Sequence, residues 1–189
     1  SPLQVALNVV GVNSAPPGLN PIVLDPSTTV KVGAPRPTDG SIPRGAIKVS
    51  DLVRTGSGGN VVDADGDRVG IALTAVGAGL QAWFSTDSGA KWTQATNLSR
   101  QNAVLLYADE QTWVYANPSS SGAIGSITAG LTYRAWDRNT VSGPPTGWLN
   151  GQSRVNTTPI AGVISPFSIN TDTLHVTVAA NVRPTLNNN

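Results

Sequence analysis

The chain has 189 residues, with 12 Lys and Arg against 11 Asp and Glu, and with no Cys and no Met. That length suits one domain able to bury a core without metal or disulfide, while the absence of Cys excludes zinc ribbons, thiol catalysis and disulfide scaffolds. A net charge of +1 with no basic run lacks the clustered Lys and Arg that phosphate binding needs, and no apolar stretch is long enough to span a bilayer, so neither nucleic acid nor membrane insertion is expected. Charged residues are only 12%, and Gly, Pro, Thr, Ser and Asn take their place, a mix that favours short strands joined by turns and points to an extracellular, bacterial cell-surface setting. The first residue is Ser1 rather than Met, which suggests a processed chain or one excised from a longer protein.

Taken in chain order, Leu3-Gln4-Val5-Ala6-Leu7-Asn8-Val9 alternates with period two and predicts a half-buried strand. It ends at the linker Asn13-Ser14-Ala15-Pro16-Pro17-Gly18. Ile22 to Val32 predicts one or two short strands around Pro26, Gly33 to Arg44 a loop, and Ile47 to Val53 a helical turn. After the flexible Gly56-Ser57-Gly58-Gly59-Asn60, a strand is expected over Gly70 to Val76. Leu80 to Ser85 and Lys91 to Thr93 predict a hairpin around Asp87-Ser88-Gly89. Ala103 to Tyr107 and Thr112 to Ala116 predict another strand pair, and Leu131 to Trp136 the clearest strand of all. Arg138 to Pro166 reads as a long polar loop, Leu174 to Val178 as the last strand, and Asn187 to Asn189 as a frayed tail. Strands at this spacing predict an all-β antiparallel β-sandwich with long loops.

The two ends echo each other. Leu3-x-Val5-x-Leu7 matches Leu174-x-Val176-x-Val178, and each is followed by Asn and then Pro, at Asn13 and Pro16 and at Asn181 and Pro184. An offset of about 170 residues suggests the closing strand of one repeat seen twice. Residues 1–16 are then the closing strand and linker of a preceding repeat, and residues 17–189 one sandwich module with its exit linker. The same N-terminal strand could instead add to the sheet of another copy, with Leu3, Val5, Leu7 and Val9 as contact residues.

The best ligand cluster is Asp63, Asp65 and Asp67, whose carboxylates, two apart in an extended loop, can converge on a hard cation such as calcium. The loop is not an EF-hand, because Arg68 stands where that loop needs Gly and Thr74 where it needs Glu. A bland alternative is a solvated acidic turn before a strand. Ser85-x-Asp87-x-Gly89-x-x-Trp92 fits the Asp-box hairpin, a structural device even in the sialidases that carry it. The lone His175 alternates with Leu174, Val176 and Val178 and reads as a strand-surface residue, and no Gly-x-Ser-x-Gly elbow accompanies it. No enzyme is expected. Four of the five Trp, namely Trp83, Trp92, Trp113 and Trp136, lie in or beside predicted strands and read as packing residues. Trp148, in the loop Gly143-Pro144-Pro145-Thr146-Gly147-Trp148, is the candidate contact with a partner or neighbouring subunit. Asn97-Leu98-Ser99 and Asn156-Thr157-Thr158 match the glycosylation sequon.

From Asp63-Ala64-Asp65-Gly66 and Gly70 to Val76, through Trp83 to Trp92, Ala103 to Asp109 and Leu131-Thr132-Tyr133-Arg134-Ala135-Trp136-Asp137, to Phe167-Ser168 and Val178, the chain resembles the cadherin-like tandem repeats of large bacterial surface and adhesin-type proteins. The resemblance covers roughly residues 60 to 186, whereas Pro17 to Asn60 matches poorly. It implies an immunoglobulin-like or cadherin-like Greek key repeated along a stalk, with neighbouring repeats or self-assembly as partners and surface glycans as a further possibility. It also implies calcium at a domain junction, held by Asp63 and Asp65, by Asp137 of the Ala-x-Asp strand end, and by the Asn13-Ser14 linker. That linker lacks the acidic residues of the family pattern. The expected function is a non-catalytic structural or adhesive module. A carbohydrate-binding module is the alternative, and it needs two or more aromatic side chains exposed on one face.

Overall fold

Short apolar runs broken by Gly, Pro, Asn and Asp give strands rather than helices, and the computed structural model bears this out over the residues it describes: 27–31, 34, 36–54, 61, 68–118, 125–138, 147–158 and 165–180. The elements are β1 (Ser27–Lys31), β2 (Ile47–Lys48), α1 (Val49–Leu52), β3 (Val69–Val76), β4 (Leu80–Ser85), β5 (Thr93–Gln94), β6 (Ala103–Tyr107), β7 (Trp113–Pro118), β8 (Gly125–Asp137), β9 (Arg154–Val155) and β10 (Asp172–Ala179). They build a six-stranded sheet of order β1-β10-β8-β3-β6-β9 and a four-stranded sheet of order β2-β7-β4-β5. The architecture is all-β with two antiparallel-rich sheets, as the composition predicts. The one parallel pairing among the described residues sets β1 beside β10, with Ser27 opposite His175 and Lys31 opposite Ala179. The expected N-terminal strand at Leu3 to Val9 lies outside the described residues.

The two sheets share one core. Ile71 and Leu73 of β3, Val104 and Leu106 of β6, Leu131 and Tyr133 of β8, and Leu174, Val176 and Val178 of β10 belong to the same buried cluster as Leu80, Ala82 and Phe84 of β4 and Val114 and Ala116 of β7. The predicted helical turn is α1, whose Val49 and Leu52 are fully buried in that cluster. Tyr133 hydroxyl donates to the Leu52 carbonyl at 2.9 Å and so ties the turn to the six-stranded sheet.

Sequence and structure differ at two places. Ala103–Tyr107 and the following strand do not pair with each other: β6 lies between β3 and β9, whereas β7 lies between β2 and β4. The connection is an arch between sheets rather than a hairpin. Asp109 bends it, its Oδ1 accepting from the amides of Gln111 at 3.1 Å and Thr112 at 2.8 Å. The second difference is the long polar loop after β8. Its described part carries β9 on the edge of β6, where Gly151 N–H donates to Leu105 O at 2.7 Å, and it supplies Val155 and Phe167 to a second buried cluster with Ala72, Ala103, Leu105 and Trp136. β3, β6 and the end of β8 are therefore covered on both faces.

Two bulges adjust the ladder. Between Leu73 and Ala75 the register of β3 on β8 shifts, and Thr74 hydroxyl donates to Thr132 O at 3.1 Å there. A second shift falls between Leu174 and Val176.

Candidate functional site

Of the expected cation ligands, only Asp137 falls among the described residues; Asp63, Asp65, Asp67 and Asn13 lie outside them. Asp137 is 2% exposed and ends β8 opposite Val69 of β3. Its amide donates to Pro166 O at 2.9 Å, and the next amide, of Arg138, donates to Arg68 O at 3.0 Å. Arg68 follows the Asp63–Asp67 segment directly in sequence, so the described chain brings Asp137 to the end of the sheet at which that segment joins β3. Among the described residues no group of three or more acidic or His side chains is gathered to hold a metal.

The Asp-box residues form a closed hydrogen-bonded turn. Ser85 hydroxyl donates to Asp87 Oδ1 at 2.7 Å and accepts from the Gly89 amide at 2.8 Å, while the Lys91 amide donates to Asp87 Oδ1 at 2.9 Å. The Lys91 amide, and then the Ser85 hydroxyl, hold the Asp87 carboxyl below its ordinary value. Gly89 has φ 83°, and a Cβ there would stand 2.5 Å from Ile42 Cδ1 and 2.9 Å from Ser41 O. Trp92 completes the device: its amide donates to Asp39 Oδ1 at 2.8 Å and its indole to Ser41 O at 2.9 Å. The motif pins the 38–42 loop to the four-stranded sheet.

Trp148 stacks on Phe167 at 5.6 Å between centroids and lies 6.0 Å from Trp136, which in turn lies 5.8 Å from Tyr107. Tyr107 hydroxyl donates to Trp148 O at 3.2 Å, and Arg138 sits 3.4 Å over the Tyr107 ring. Trp148 stays half-buried in this cluster. Beside it, on the same face of the six-stranded sheet, Arg134 is 2% exposed and donates through Nη1 to the carbonyls of Ser168 and Ile169. Its Nε has no acceptor, and burial, then the charge of Arg100, lower its pKa. Arg134 latches the 165–170 segment over the sheet, a role the sequence pattern does not signal. His175 is half-buried on β10, opposite Ser27.

The remaining tryptophans divide by register. Trp92 and Trp136 are buried, while Trp83 and Trp113 are half-buried on the outward face of the four-stranded sheet. Trp83 stands opposite Gln94 on β5 and Tyr115 on β7, and Trp113 stands opposite Ser85 and Lys48. Gln81, two residues before Trp83, shares that face. Tyr115 is closed over by Trp92, 6.4 Å away and edge-on at 71°. Lys48 pairs with Glu110 and lies 5.6 Å from the Trp113 centroid. Trp83 and Trp113 are both packed against the main buried cluster, as the sequence predicts, with polar partners along the outer side of the sheet. No family model, no curated protein and no solved structure matches the chain.

Proposed function

We propose that the protein is a non-catalytic, cadherin-like structural and adhesive repeat of an extracellular surface protein, joined end to end with its neighbours into a stalk. The parallel β1–β10 pair carries this reading. Because the two strands run the same way, the chain comes into β1 from the end of the sheet where Asp172 and Asp137 lie and leaves β10 at the other end, beyond Ala179. A module threaded in this way extends a line when it is concatenated, whereas an antiparallel first and last strand would return the chain to the end where it started.

Calcium is the ion that suits a junction at the Asp137 end, with Asp63, Asp65 and Asp67 as further ligands and Asn13 from the linker. Small-angle scattering of two tandem copies of the full chain tests the stalk. The expected maximum dimension is close to twice that of one copy, lengthening or stiffening with calcium and reverting with a chelator or in Asp63→Ala, Asp65→Ala. A tandem that folds back to a compact particle sinks the stalk reading, and scattering and melting that ignore calcium sink the ion.

A further inference from the structure

We propose that Asn97 and Asn156 are N-glycosylated, as a pair that crowns the corner of the module where β9 meets the turn between β5 and β6. Each opens the pattern Asn-x-Ser/Thr, at Asn97-Leu98-Ser99 and at Asn156-Thr157-Thr158. The fold sets the two side by side. Thr157 donates to Arg100 O through its amide at 2.7 Å and its hydroxyl at 3.0 Å, and Arg154 Nη1 donates to Thr96 O at 2.9 Å.

Both asparagines are exposed, and each sits in a turn that presents it. Asn97 has φ 55°, in a bend closed by Asn102, whose Nδ2 donates to Asn97 O at 2.7 Å and whose amide donates to Ser99 O at 3.1 Å. Asn156 turns its Oδ1 to the Thr158 amide at 2.9 Å, which leaves Nδ2, the atom that takes the sugar, on the opposite side of the carboxamide. The hydroxyls divide in the same sense. Thr157 is 1% exposed, with its hydroxyl on Arg100 O, whereas the hydroxyls of half-buried Ser99 and exposed Thr158, which the pattern requires, bond to no described residue. The near-match Asn117-Pro118-Ser119 is barred by its proline, and Asn117 is buried. The donor is an oligosaccharide carried on a membrane lipid through a diphosphate. The bond from Asn Nδ2 to the anomeric carbon forms as the bond from that carbon to the diphosphate oxygen breaks. The nitrogen gives up a proton, and the lipid diphosphate leaves with the bonding pair. β9 is a margin strand of the six-stranded sheet, so sugars at this corner stand where another chain would come to pair with it. The proposal rests on the extracellular reading, because the modification belongs to secreted chains.

The test is tryptic peptide mapping, by mass spectrometry, of the chain isolated from the cells that make it. Cleavage after Lys91, Arg100 and Arg154 puts Asn97 in residues 92–100 and Asn156 in residues 155–189, Arg183 being protected by Pro184. Both peptides are expected to carry whole sugar residues on the asparagine in most of the population. Ser99→Ala and Thr158→Ala keep both asparagines and the backbone bonds of the turns, and each should lose the sugar on its own peptide alone. Bare peptides in the parent chain overturn the proposal, and so does one bare asparagine of the pair. Sugar that survives its alanine substitution also overturns it, because the attachment is then to another side chain. Trypsin applied to intact cells reads the surface location separately: a chain that is cut there and yet bare sinks the sugars and leaves the stalk reading standing.

Discussion

The two sheets differ in how their outward faces are finished. On the six-stranded sheet, Ala72, Ala103 and Leu105 are fully buried on the outward side, under Trp148, Val155 and Phe167 brought by the loop that follows β8. On the four-stranded sheet, the 38–42 loop and Trp92 close over Tyr115, but Gln81, Trp83, Trp113 and Gln94 remain partly open. The strands announce this difference. β6 reads Ala-Val-Leu-Leu-Tyr, a continuous apolar run fit for burial on both sides, whereas β4 begins Leu-Gln-Ala-Trp, an alternation with one wet face. The middle strands of one sheet are packed on both faces, whereas the other sheet keeps one face half-exposed.

The sharpest way to break that comparison is to truncate β6 on either side. Leu105→Ala, under the loop, and Leu106→Ala, between the sheets, should each cost about 2–5 kcal/mol, because both side chains are fully buried. Urea unfolding followed by circular dichroism measures both. A Leu105→Ala protein within about 0.5 kcal/mol of the parent would mean that the loop does not form a true second core. A smaller effect is expected at Gly70, which stands directly opposite Trp136. A Cβ there would meet Leu106 O at 2.5 Å and Trp136 Cε3 at 2.9 Å, so Gly70→Ala should cost about 1–3 kcal/mol by pushing on the β6 backbone and the Trp136 ring. Near-ultraviolet circular dichroism should register the displaced indole, and an unchanged aromatic spectrum with unchanged stability would contradict the packing.

The smallest effect belongs to the Asp-box turn on the other sheet. The folded Asp87 carboxyl lies below its ordinary value of 3.8, so its contribution is present above that value and is lost as pH falls through the lower, folded one. Asp87→Asn should therefore cost less than about 1 kcal/mol at neutral pH, given the exposure of the turn, and should flatten the acid limb of the stability curve. Melting curves of the two proteins from neutral to strongly acid pH give the answer, and parallel curves would remove Asp87 from the account.

Most strands were legible because each is a short run with its own turn signals, as at Gly70–Val76, Leu80–Ser85 and Leu131–Trp136. Pairing was less so. A five-residue gap between β6 and β7 looks like a hairpin, and only the folded chain shows Asp109 turning it from one sheet to the other. The loop after β8 is polar in sequence, and its covering role depends on Trp148 and Phe167 meeting Trp136, contacts that no local pattern encodes. The packing role of Trp83 and Trp113 was legible, but their neighbours Gln94, Gln81 and Lys48 follow only from register.

The edge where β1 lies along β10 has a mechanical meaning. Tension applied across the module pulls β1 toward one end and β10 toward the other, so the ladder from Ser27–His175 to Lys31–Ala179 is loaded in shear. Its hydrogen bonds then share the force instead of opening one after another like a zip. Resistance to pulling thus resides in a five-residue strand at the margin of the sheet, not in the well-packed centre.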